Sequence, residues 1–185
     1  DGTDREAVEA GANECGLVNG MIDCAAICPF DEWNDAGWDE VAARVFTVNL
    51  QGPLNLTRAF MAGMKNNTGG RIALIGSIAG RLGGVRAAPH YAMSKGGIHS
   101  FVRWAAKKGA PDNILVNAVA PGLIKTDILD DVDPSVLDEL VEATPMKRIG
   151  QPEDIAGVVV FLLGDDSNFM TGQTLVASGG RGTLP

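Results

Sequence analysis

Arg71-Ile72-Ala73-Leu74-Ile75-Gly76-Ser77 decides how this chain folds. Four consecutive apolar residues are too few for a helix that buries one stripe, but they suit a strand covered on both faces. Gly69 and Gly70 mark the turn before it, and Ser77 ends it. Similar runs recur on either side. Gly20-Met21-Ile22-Asp23-Cys24-Ala25-Ala26-Ile27 reads as a buried strand running into a small-residue turn. Ile114-Leu115-Val116-Asn117-Ala118-Val119 is a third strand, stopped by Pro121-Gly122, and Thr174-Leu175-Val176-Ala177-Ser178 is the last.

Helical patterns fill the gaps. Trp38, Val41, Ala42, Val45 and Val48 recur at helical spacing, and after Gly52-Pro53 the pattern resumes through Leu56, Phe60 and Met64. A helix holding Tyr91 and Lys95 runs to about Lys108, closed by Gly109 and Pro111. Asp133-Pro134 and Pro152-Glu153-Asp154 open two more, the second ending at Gly164. Thr3 with Glu6 suggests a capping box leading into a short first helix. Strands alternating with helices give an α/β fold, a doubly wound parallel sheet covered on both faces. Ligands of such sheets bind beyond the carboxyl ends of the strands, where Ser77, the turn at 23–26 and Pro121-Gly122 all fall.

Composition excludes several functions. The 185 residues, 45% of them apolar and 21% charged, suit one globular domain spanning 1–185. A net charge of −8 argues against a nucleic-acid partner. No apolar run approaches the roughly 18–20 residues that span a bilayer, so no membrane segment is expected. Cys15, Cys24 and Cys28 have no histidine near to complete a metal site and read as buried free thiols of a cytoplasmic protein.

Chemistry gathers around the single tyrosine. Tyr91 and Lys95 lie one helical turn apart on one face. A free tyrosine titrates near about 10, and a neighbouring ammonium would draw that value down toward the neutral range. Read locally, the same pair is also what a surface lysine beside a half-buried tyrosine looks like, and Ser77 alone is a polar strand end. Pro53 cannot donate to the carbonyl of Asn49, four residues back, so either a kink frees that carbonyl to hold a water or the helix breaks there. A hydrolase built on Ser77 is a poor reading, because neither His90 nor His99 sits with a carboxylate in a recognisable motif.

Taken in order, these blocks resemble the short-chain dehydrogenase/reductase family along nearly the whole chain. Val48-Asn49-Leu50 is similar to the family's asparagine helix, Ile75-Gly76-Ser77-Ile78-Ala79-Gly80 to its serine strand, and Tyr91-Ala92-Met93-Ser94-Lys95 to its catalytic helix. Asn117 to Thr126, Arg148 to Ala156 and Met170-Thr171-Gly172-Gln173 resemble the later signatures. The resemblance implies a Rossmann-like sheet and hydride transfer between NAD or NADP and a small-molecule alcohol or ketone. It implies Tyr91 as general acid/base, Lys95 tuning it and holding the nicotinamide ribose, Ser77 polarising the substrate oxygen, and Asn49 holding a relay water. Asp1 would meet adenine; Cys24, Ala25 and Ala26 would line the adenine-side ribose. Pro121, Gly122, Ile124 and Thr126 would hold the nicotinamide. A dimer or tetramer is implied as well, with Met93, Gly97, Ser100 and Trp104 on its interface.

The chain departs from the family in three places. The Asn-Asn-Ala-Gly turn stands here as Asp23-Cys24-Ala25-Ala26, and Ser178 replaces the Asp before the final Gly-Gly. The glycine-rich pyrophosphate turn does not occur, nor do the strands that carry it, on the order of 60–80 residues by the size of such units. The expectation is therefore the catalytic half of a Rossmann-like domain lacking its first strands. A second expectation is a catalytically incompetent chain that keeps only fold and assembly surfaces. Arg81 and Arg86, in the loop before Tyr91, could greet an anionic substrate.

Overall fold

The computed structural model describes residues 1–84, 88–129 and 132–182. Arg86 lies outside them. Among the described residues four strands, β1 (Gly20–Asp23), β2 (Gly70–Ile75), β3 (Ile114–Pro121) and β4 (Thr174–Ala177), form one parallel sheet in the order β1-β2-β3-β4. Register brings Asp23 beside Leu74, Ile75 beside Val119 and Pro121 beside Ala177. All four carboxyl ends therefore open on one edge of the sheet, as the apolar runs predict.

Among the described residues there are seven α-helices: α1 (Arg5–Cys15), α2 (Trp38–Phe46), α3 (Gly52–Lys65), α4 (Ala79–Leu82), α5 (Pro89–Gly109), α6 (Pro134–Glu142) and α7 (Pro152–Leu163). On one face Ile72, Leu74, Ile114 and Val116 pack with Met64 of α3 and with Ile98 and Val102 of α5. On the other, Ala73 and Val119 meet Val159 and Leu162 of α7. Burying each large aliphatic side chain this fully stabilises the fold by about 1.5–3 kcal/mol. The turn before β2 is tight enough to require glycine. Gly69 has φ +102, and a Cβ there would lie 2.3 Å from the Asn113 carbonyl oxygen.

Several expectations need correction. The first helix begins at Arg5 and is capped by Asp4, whose carboxylate accepts from the Ala7 N–H, while Thr3 donates its hydroxyl to Asp1. At β1 only alternate residues are buried, and Ile22 is 43% exposed, since α7 reaches this edge strand only near Leu163. Strand order ends at Asp23, and residues 24–27 run on as irregular chain. Between α2 and α3 the helix does not break. Helix continues from Trp38 to Lys65 through a π-helical turn, Thr47–Gln51, in which the Gly52 N–H donates to the Thr47 carbonyl. This wider turn is how the chain accommodates the missing N–H of Pro53. The cysteines are free, but Cys15 and Cys24 are exposed and Cys28 is half-buried. Cys15 ends α1 on its solvent side, and Cys24 lies beyond the end of β1.

Candidate active site

The site is assembled at the ends of β1, β2 and β3. Ser77 lies two residues beyond β2, and its hydroxyl oxygen accepts from the Ala79 N–H at 3.1 Å. Two bonds fix this strand end to β3: Gly76 N–H to the Val119 carbonyl at 2.7 Å, and Ile78 N–H to that of Pro121 at 3.0 Å. Helix α5 then lays Tyr91 and Lys95 across the opening. Lys95 is 3% exposed; its ammonium donates to the Ile75 carbonyl at 2.8 Å and lies 5.8 Å from the centre of the Tyr91 ring. Close packing holds the frame, since a Cβ on Gly80 of α4 would fall 2.5 Å from the Gly96 nitrogen and 2.6 Å from the Lys95 carbonyl carbon.

Asn49 is fully buried in the π-helical turn. Its side-chain oxygen accepts from the Ile27 N–H and its amide donates to the Ile27 carbonyl, each at 2.9 Å. The amide also reaches the Ser94 hydroxyl at 3.1 Å. One side chain thus pairs the loop after β1 with α5 in the manner of a strand neighbour. The same loop is tied a second time. Asp31 holds His90 Nε2 at 2.9 Å, and Trp38 stacks on the His90 ring with centroids 5.3 Å apart. The absence of a carboxylate beside His90 in the sequence therefore does not hold in space. This pair serves as a strut, with His90 fully buried, and the hydroxyl of Ser77 is engaged with Ala79 and Tyr91 instead.

Electrostatics run opposite to the expectation for Tyr91. Burial, helped by the neighbouring Cys28, pushes its hydroxyl up to about 12, while a Ser77 hydrogen bond pulls down more weakly. Burial also draws Lys95 down to about 8, against the upward pull of Asp23, Cys28 and Cys24. Lysine 95 therefore sheds its proton before the tyrosine does, so no ammonium is left to favour the phenolate as it forms. Burial lifts Cys28 to about 11 and raises Asp23 from its ordinary value.

The remaining predicted residues divide. The Gly122 N–H donates to the Ala177 carbonyl, which sets Pro121-Gly122 against β4. Ile124 bridges Gly150 in parallel and lines a pocket of about 190 Å³ with Leu123, Met146, Arg148, Ser178 and Gly179. Tyr91 and Lys95 do not line it. Its rim is held by Arg148, which grips Asp154 through both guanidinium ends at 2.6 and 2.9 Å. Thr126 is exposed at the start of a short 3-10 turn. Ala25 donates its N–H to the Asp23 carboxylate at 2.9 Å, and Ala26 keeps a negative φ. Asp1 is exposed and turned onto Thr3, while the next residues are held on α3 through Asn55. Ser178 donates to the Arg181 carbonyl, which closes the turn after β4. Sequence reasoning passed over Asp23 as part of this cluster; a carboxylate ending an apolar strand was the available signal.

Comparison with known proteins follows the same outline. The family model described as enoyl-(acyl carrier protein) reductase matches residues 2–181. A short-chain type dehydrogenase/reductase of Sinorhizobium fredii, y4mP, is 38% identical over 149 residues, covering 80% of this chain and 57% of that protein. An acetoacetyl-CoA reductase of Allochromatium vinosum is 33% identical over 170 residues, covering 90% and 67%. The crystal structure of a 3-oxoacyl-[acyl-carrier protein] reductase with bound NAD from Brucella melitensis superposes with a TM-score of 0.90 at 36% identity, over 100% of this chain and 70% of that one. The chain thus spans little more than half to about two thirds of these sequence relatives, yet the family model matches nearly all of it, and it belongs to the short-chain dehydrogenase/reductase family.

Proposed function

We propose that this chain carries the hydride-transfer site of an oxidoreductase that interconverts a secondary alcohol and a ketone with NAD or NADP. The observation that carries the reading is the buried Lys95 ammonium, held on the end of β2 beside Tyr91 and Ser77. That donor set fits a nicotinamide nucleotide. One ammonium hydrogen goes to Ile75, which leaves others for ribose hydroxyls. When bound, the cofactor supplies or accepts the hydride.

The chain's own groups do the rest. Tyr91, protonated throughout the neutral range, gives its proton to the ketone oxygen in reduction. Ser77 donates a hydrogen bond to the same oxygen and steadies charge as it develops. Lys95 would hold the ribose, and the backbone carbonyl of Asn49 would hold a water able to return the proton to Tyr91. Cys24, Ala25 and Ala26 would line the far ribose, Asp1 would meet the adenine, and Pro121, Gly122, Ile124 and Thr126 would hold the nicotinamide, the last two at its carboxamide. Met93 and Trp104, each 58% exposed on α5, are the apolar face through which copies would pair into a dimer or tetramer. Free thiols suit a cytoplasmic setting. Among the described residues no helix is long and apolar enough to cross a membrane.

A second reading, an incompetent chain keeping fold and assembly surfaces, is favoured by the exposed Ile22 face of β1. One experiment separates the two. NAD(H) and NADP(H) are titrated against the purified chain, followed by turnover on alcohols, sugars and acetoacetyl-CoA. Saturable binding with turnover that Tyr91→Phe cuts by about 10²-fold or more, at similar cofactor affinity, supports the enzyme. Near-normal rates in that variant overturn the role of Tyr91, and absent binding supports the second reading.

A further inference from the structure

We propose that the Asp23 carboxylate is the fixed counter-ion of Lys95, holding its ammonium charged at the carboxyl ends of β1 and β2. Asp23 is the last residue of β1 and sits in register with Leu74. The next residue on β2, Ile75, is the one whose carbonyl receives the Lys95 ammonium. Both side chains are withdrawn from water, at 6% and 3% exposure. The Ala25 N–H bonds one carboxylate oxygen at 2.9 Å and fixes the group in place.

A buried ammonium with one backbone acceptor is costly unless an opposite charge stands near. The titratable groups facing Lys95 are Asp23 and Cys24 at the end of β1, Cys28 in the following loop, and Tyr91 and His99 on α5. At neutral pH Cys28 and Tyr91 keep their protons, with values near 11 and 12, and burial raises Cys24 as well. His99, drawn down to about 4 by burial and by Arg81 and Arg103, is uncharged. Asp23, which burial raises from its ordinary value, is the one carboxyl group of this set among the described residues. The attraction acts through space, since the two groups feel each other without sharing a hydrogen bond. Asp23 is thus a positioning residue that acts through Lys95. What the charged lysine then does rests on the oxidoreductase reading; the pairing itself does not.

The test uses the full 185-residue chain and reads ionisation rather than turnover, so it stands apart from failure of that reading. Asp23→Asn keeps the acceptor for Ala25 and removes the charge. NMR titration of labelled lysine, with Lys95 assigned through Lys95→Met, should show the Lys95 midpoint falling by about half a unit to one unit, and Asp23→Glu should restore it. A residue needed only for packing would change stability and leave the midpoint alone. An unmoved midpoint in folded Asp23→Asn overturns the proposal. Should that variant fail to fold, the unaltered chain decides: the Asp23 carboxyl carbon must show a second inflection where Lys95 titrates, and a single inflection overturns it.

Discussion

Tyr91 is the only tyrosine in the chain, so the tyrosinate absorbance of the folded protein reports one side chain at the centre of the site. Its value of about 12 comes first from burial, and the neighbouring Cys28 adds to it because of the order in which the groups titrate. Lys95 deprotonates near 8, Cys28 near 11, and only then Tyr91. As the phenol titrates, its neighbours are a neutral amine and a thiolate. At pH 10 a free tyrosine is half ionised, whereas Tyr91 should be about 1% ionised. The folded state holds a proton that the unfolded state sheds, so this stability is fully present below about 10 and is lost as pH rises through about 12. Two units correspond to about 3 kcal/mol. The perturbation is Cys28→Ala, which removes the thiolate and should lower the midpoint toward the free value. Ser77→Ala should raise it, since a hydrogen bond that pulls down is lost. A stopped-flow pH jump reads the folded chain before alkaline unfolding begins. A folded midpoint at or below 10 in the unaltered chain would refute the reasoning, as would a rise in Cys28→Ala.

Two packing predictions test the frame around this cluster. Gly80→Ala forces a methyl group against the backbone of Gly96 and Lys95, which cannot yield as a side chain tip would. It should cost about 1–3 kcal/mol in a denaturant titration, whereas Gly63→Ala, inside α3 with open space around it, should stabilise by about 0.5–1 kcal/mol. Equal effects would show that the contact between α4 and α5 is looser than described. Asn49→Ala strips the Ile27 N–H and carbonyl of their partners and should cost roughly 2–4 kcal/mol, with faster amide exchange at Ile27. Unchanged exchange there would count against Asn49 as the anchor of that loop.

Much of the architecture was legible because a parallel sheet writes itself as short apolar runs. Ile72 to Ile75 and Ile114 to Val119 announced the two central strands, and Asp133 and Pro152 marked helix starts that the structure keeps. What escaped was whatever depends on distance across the fold. Pro53 signalled trouble for the helix, but local sequence cannot distinguish a break from a π-helical turn. His90 and Asp31 are 59 positions apart, and only the loop's return over α5 makes them partners. Spacing put Tyr91 and Lys95 on one face; it said nothing of the burial that reverses the direction of the tyrosine's shift. Ile22 looked like core in sequence because an edge strand and a central strand share the same apolar vocabulary.

The altered turn after β1 draws these threads together. Replacing two amides and a glycine by Asp23, Cys24 and Ala26 should loosen this segment, yet it is held by other means. Ala26 needs no left-handed backbone, so the glycine is dispensable. The Asp23 carboxylate accepts from Ala25 as an amide oxygen would, and adds a charge that an amide lacks. Asn49, from a helix on the other side of the crossover, supplies the donor and acceptor that pin Ile27. The turn is therefore held from outside as much as by its own side chains.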